Sequence, residues 1–185
     1  MILSKEIDLI DDERLREAAR LCIEDREEML KIYPSSLGGK YHPPDERRSG
    51  GLVKHIKRTA RLLHEASPHF GLSQLEHDIL IYCALTHDLS NIDISKVVDG
   101  EIVRDKKKYT KWHSDMSSQI ASTYITKTSS TLGILDDIVL TIQGIIQSHM
   151  GAWYPNNRQP GTKLEIVFSL VDFIASRENV LVEVE

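Results

Sequence analysis

Apolar residues along this chain recur mainly at intervals of three and four, the period of a helix with one buried face. From Asp11 to Tyr33 the positions Leu15, Ala18, Leu21, Cys22 and Leu30 alternate with charges in this way, which predicts an amphipathic helix over 11–33 that Pro34 helps to stop. Residues 34–50 gather Pro, Gly and Ser without any period and read as a loop that could also wall a binding site. The next helix begins near residues 49 to 51 and carries LVKHIKRTARLLHEA, with Leu52, Ile56, Thr59 and Leu63 marking one face and His55 falling on that same face.

Ser73 and Glu76 form an S-x-x-E capping box, so a further helix starts there, runs through ILIYCAL and ends close to Asp88. Within VVDGEIV an Asp-Gly turn separates two short β-branched runs, which predicts a small hairpin near 97–104. Three more helices follow from the periodicity, at roughly 113–127, 134–149 and 162–178. The fold expected is all-α, a single domain over 1–185 with a helical core from about 51 to 178.

Composition changes this picture little. With 41% hydrophobic and 28% charged residues, the chain has the balance of an ordinary folded domain. A net charge of −5 argues against a general nucleic-acid surface, although Arg104, Lys106, Lys107, Lys108 and Lys111 cluster beside Tyr109 and Trp112 as a solvated loop or a phosphate-attracting rim. The acidic start carries no secretory signal and no apolar run is long enough for a bilayer, so the cytoplasm is the expected compartment. Cys22 and Cys83 lack metal-type spacing and read as core thiols.

Charge inside apolar stretches is more informative. The chain holds two His-Asp pairs. His77-Asp78 lies in the first turn of its helix, where an acidic residue meets the helix dipole, so it reads as capping and surface. His87-Asp88 follows the apolar run about 15 Å further along the axis, where a carboxylate would be buried. Buried carboxylates are normally paired, hydrogen-bonded or bound to metal. His55, His113 and His149 each extend an apolar stripe, and Asp172 sits inside IVFSLVDFIA. A single inward His is ordinarily a satisfied core residue. Four with two aspartates, on separate helices, offer the mixed nitrogen and oxygen ligands that suit transition metals.

The ordered set His55, His87-Asp88, His113, His149 and Asp172, with the phrases SGGLVKH and YCALTHDLS, resembles the HD-domain metal-dependent phosphohydrolase superfamily in its two-metal variant, over about 41–178. The resemblance implies that His55, His87, Asp88 and Asp172 hold one metal, that His113 and His149 hold a second, and that Asp88 bridges them and is essential to catalysis. It implies two divalent ions (manganese, iron, cobalt, nickel or zinc) and hydrolysis of a phosphate ester. A nucleotide is the leading substrate class, and a short single-stranded nucleic acid is the other. Many relatives follow the His-Asp pair with a small residue and lysine, where this chain has Leu89-Ser90-Asn91. Arg58 and His42 are the candidates for substrate contact in place of that lysine. Some proteins of similar arrangement are di-iron oxygenases, and a non-catalytic nucleotide-binding sensor is a third reading.

Overall fold

The structure, a computed structural model, describes residues 1–36, 41–93, 95–99, 101–104, 113–132, 136–151, 158–180 and 184. It is mainly α-helical with one small β-hairpin, as the periodicity predicts. In chain order the elements are α1 (Ser4–Ile7), α2 (Glu13–Glu24), α3 (Glu27–Leu30), α4 (Gly51–Ala66), a 3₁₀ turn (Ser67–Phe70), α5 (Gln74–Thr86), α6 (Ser90–Asp93), β1 (Ser95–Val98), β2 (Glu101–Arg104), α7 (His113–Leu132), α8 (Asp136–Ser148) and α9 (Lys163–Ala175).

Helix α5 is the axis around which the rest is built. Its residues from His77 to Thr86 are all buried, and it packs against α1, α2, α4, α7, α8 and α9. A helix that is apolar on every side has to be enclosed, which is why the run ILIYCAL lies at the centre rather than on a flank. Ser73 and Glu76 cap its start reciprocally, and Tyr82 near its middle donates its hydroxyl to the Ala121 carbonyl of α7 at 2.8 Å. The surrounding helices turn single stripes inward: Leu52, Ile56 and Leu63 of α4 and Phe168 of α9 are fully buried.

One expectation is corrected here. The helix expected over 11–33 is interrupted at Asp25 and Arg26, giving α2 and α3. Both residues are drawn to Tyr124 of α7: the Tyr124 hydroxyl donates to Asp25 Oδ2 at 2.6 Å, and Arg26 Nη1 donates to the Tyr124 oxygen at 2.8 Å. Ahead of α2, Leu3, Ile7 and Ile10 enter the core through α1, a turn the periodicity did not mark. The hairpin is present and slightly longer than expected, pairing Ser95 with Arg104 and Val98 with Glu101 in antiparallel register, with Asp99 at φ 51 in the turn. The last helix begins at a second capping box, Thr162 with Glu165, and α8 approaches it at Gly144, where a Cβ would fall 2.7 Å from Glu165 Oε1.

Candidate metal centre

Five helices of the core, α4, α5, α7, α8 and α9, bring chemical groups to a common interior point. His55 is on the buried stripe of α4 and is 1% exposed. His87 is the C-cap of α5, and Asp88 follows it, so the rigid central helix ends on the pair. His113 opens α7, His149 stands one residue past α8, and Asp172 lies in α9. Ser90 ties the strand of chain after Asp88 to the start of α7: its hydroxyl donates to the His113 carbonyl at 2.8 Å, and its amide donates to Ser117 Oγ at 3.1 Å. The Leu89-Ser90 stretch, fully buried, therefore serves to hold His113 in place.

The polar atoms meet closely. His55 Nε2, His87 Nε2 and Asp172 Oδ1 form a triangle with sides of 3.2 Å (His55–His87), 3.0 Å (His55–Asp172) and 3.3 Å (His87–Asp172). Beside it, His113 Nε2 and His149 Nε2 are 3.4 Å apart. Asp88 stands between the two groups. Its Oδ2 faces His87 Nε2 at 3.6 Å and His55 Nε2 at 3.9 Å, while its Oδ1 faces His113 Nε2 at 3.6 Å and His149 Nε2 at 3.8 Å. All six residues expected as ligands are thus brought together. Two triads, His55 with His87 and Asp172, and His87 with Asp88 and His149, have ligand atoms mutually within 4.8 Å.

Tautomers are set by helix ends. The last carbonyls of a helix have no amide partner within it, and His87 Nδ1 donates to Ala84 O at 3.0 Å while His149 Nδ1 donates to Ile146 O at 2.6 Å. Each ring therefore turns Nε2 to the interior, and in its neutral form offers the lone pair there. Charge is distributed to match. Burial opposes ionisation of Asp172, yet the His87 and His55 imidazoles beside it hold its pKa well below the usual carboxylate range. Burial also opposes ionisation of Asp88, and His87, His113, His149 and His55 overcome it and lower the pKa. For His55, burial works against the proton, but the Asp172 and Glu46 carboxylates raise the pKa well above the ordinary value. His87 is raised against burial by Asp88 and Asp172. His149 is pushed down to about 4, by burial first and then by the neighbouring imidazoles despite Asp172, so it is a neutral donor at pH 7.

These donors fit a metal ion. Ligands at ~2.0–2.1 Å from a tetrahedral ion stand about 3.3 Å from one another, which matches the triangle of 3.0–3.3 Å. Asp172 Oδ1 is fully enclosed yet has no aligned hydrogen bond, the condition of an atom whose partner is a cation.

A carboxylate absent from the sequence reading also reaches the cluster. Glu46, from the loop before α4, is 0% exposed. Its Oε2 lies 2.8 Å from His42 Nδ1 and 3.5 Å from His55 Nδ1, and its Oε1 receives Arg58 Nη1. Arg58 is itself buried, with Nη2 donating to Asp45 Oδ2 at 2.7 Å, so its guanidinium braces the loop from inside rather than forming a surface pair. His42 is half-buried at the outer edge, its ring 5.4 Å from that of His55. The basic run 104–111 lies outside the described residues apart from Arg104, which closes β2.

The upstream pair, His77-Asp78, is corrected from surface capping to buried structure. Asp78 is 1% exposed, and Ser73 rather than Asp78 caps α5. Asp78 Oδ2 accepts from the Asp12 amide at 2.7 Å and Oδ1 from Gln74 Nε2 at 2.8 Å, pinning the start of α2 to α5.

Comparison of the chain with protein-family models, curated proteins and solved structures gave no match. Fold and site together define a mainly α-helical protein with a buried His/Asp cluster that could hold metal ions, an arrangement compatible with an HD-type site. Among the described residues, no helix is long and apolar enough to cross a membrane.

Proposed function

We propose that the protein is an HD-type metal-dependent phosphohydrolase, acting on a phosphomonoester or phosphodiester of a nucleotide or short oligonucleotide. The observation that supports this reading is the division of Asp88: one carboxylate oxygen faces His55 and His87, and the other faces His113 and His149, so a single side chain could be shared by two groups of ligands. In this reading His55, His87 and Asp172 would hold one ion, His113 and His149 the other, and Asp88 would be shared between them. Two such ions would supply Lewis acidity, lowering the pKa of a bound water and neutralising charge on a phosphoryl group. The protein's own share is to turn the His87 and His149 imidazoles so that Nε2 faces the interior, through the helix-end carbonyls of Ala84 and Ile146. Burial of the cluster excludes bulk water and strengthens its electrostatics. His42, at the edge and anchored through Nδ1, is the side chain proposed to meet the substrate.

The test is elemental analysis of protein purified without added metal, then phosphate release from a panel of nucleotides and a model phosphodiester. Two ions per chain with phosphate release support the hydrolase. Two irons with oxygen uptake and no release move the reading to an oxygenase, and bound nucleotide without turnover moves it to a sensor. No metal after reconstitution removes the centre altogether.

A further inference from the structure

The four imidazoles of the centre are not oriented by the same means. His87 and His149 stand at the ends of α5 and α8, where carbonyls of the last turn accept their Nδ1 protons at 3.0 and 2.6 Å. His55 is the fifth residue of the sixteen-residue helix α4, where the neighbouring carbonyls are taken by the helix itself. Its ring therefore needs an acceptor from elsewhere in the chain: His55 Nδ1 is enclosed without an aligned hydrogen bond, and the group facing it is Glu46 Oε2, 3.5 Å away.

We propose that Glu46 is a positioning residue of the metal centre: it accepts the Nδ1 proton of His55, so that Nε2 is the atom offered to a metal ion. The inference rests on the metal-centre reading above. The loop is shaped to deliver this one carboxylate. Ser35 donates its amide to the Glu46 carbonyl at 3.0 Å, Arg58 and Asp45 lock the guanidinium beside Oε1, and His42 fills the remaining side of Oε2. Gly51 completes the fit, since a Cβ there would fall 1.9 Å from the Glu46 carbonyl oxygen. His42, Glu46 and His55 also have atoms mutually within 4.8 Å, so Glu46 could be read as a ligand of a further ion. The Arg58 guanidinium on Oε1 argues against it, because a cation held there would face a second positive charge. A carboxylate behind a histidine is instead the arrangement that fixes a ring and raises its basicity toward a metal.

The test compares full-length wild type with Glu46→Gln, both stripped of metal and titrated with Zn²⁺. The expected result is that one of two ions binds about 10–100-fold more weakly in the variant while the other is unchanged. In Zn²⁺-loaded wild type, nitrogen NMR of His55 should show a protonated, slowly exchanging Nδ1 and a metal-bound Nε2. That second readout needs no variant, so it decides the matter if Glu46→Gln does not fold. Unchanged affinities for both ions, or His55 bound through Nδ1, would overturn the role of Glu46 while leaving the centre intact. A third ion lost in the variant would make Glu46 a ligand and also overturn it. A wild type that takes up no ion removes the metal-centre reading and this inference with it.

Discussion

Substituting Gly51 by alanine places a single methyl group against the backbone that carries Glu46. The added Cβ would lie 1.9 Å from the Glu46 carbonyl oxygen, 2.4 Å from its carbon and 2.7 Å from its Cα. Ordinary contact begins near ~3.4 Å between such atoms, so the loop has to retreat by about 1.5 Å. No flexible side-chain tip is available to absorb this. The retreat breaks the 3.0 Å bond from the Ser35 amide and pulls the carboxylate away from Arg58, leaving a buried carbonyl and a buried charge without full partners. At ~1–3 kcal/mol for an unsatisfied buried polar group and more for a charge, the loss is about 3–5 kcal/mol. For a chain of this size that corresponds to a fall in Tm of roughly 10 °C. Zn²⁺ affinity should weaken as well, through His55. Gly50→Ala is the control. Gly50 has φ +75 and its Cβ would stand 3.3 Å from the Lys31 carbonyl, so the cost is backbone strain of about 1–2 kcal/mol with metal affinity nearly unchanged. Thermal unfolding of metal-free protein and Zn²⁺ titration of all three proteins are the assays. A Gly51→Ala protein that melts with wild type and binds Zn²⁺ equally well would show that the close approach of α4 and the loop is not what holds Glu46.

Three further outcomes are expected. The pKa values of His55 and His87 are raised in the folded, metal-free protein, so the stability they contribute is complete below about pH 6.5 and is lost as pH rises through their folded values. Urea midpoints in the presence of a chelator should therefore fall between pH 6.5 and 8, below the range where Cys22 and Cys83 thiols ionise in the unfolded chain, while Zn²⁺ affinity rises over the same interval as protons leave the ligands; a chelated protein more stable at pH 8 than at 6.5 would contradict this. Asp88→Ala should lose both metal and activity, whereas Asp78→Ala should keep its metal and lose about 1–3 kcal/mol of stability by stranding the Asp12 amide, as read from elemental analysis and denaturation side by side. Ser90→Ala removes the bond to the His113 carbonyl, so it should weaken the ion held by His113 and His149 more than the other, visible as one displaced step in a metal titration.

How much of this could be read in advance depended on whether a residue's surroundings are local. The run ILIYCAL followed by Thr86, His87 and Asp88 announced a buried helix with chemistry at its end, because enclosure on every face leaves no outlet for a carboxylate. Asp172 was legible for the same reason. The capping box at Ser73 and the Asp-Gly hairpin were visible because their determinants are adjacent in the chain. The break at Asp25 and Arg26 was not, since the phenol that causes it is 98 residues away from Arg26. His77-Asp78 looked like a first-turn surface pair because nothing local shows that Asp12 would come to cover it. Glu46 was hidden in DERR, which reads as solvated charge in a loop without period. Its partner is revealed only when α4 folds back on the loop.

The residues of the His/Asp cluster are spread from His55 to Asp172, with Asp172 contributed by the last of the described helices. As the chain leaves the ribosome at roughly 5–20 residues per second, the four imidazoles emerge first, and the triangle of His55, His87 and Asp172 stays open until α9 arrives. A nascent or prematurely stopped chain therefore carries the histidines without the carboxylate that closes their group. The buried polar interior is thus completed only once residue 172 has been made.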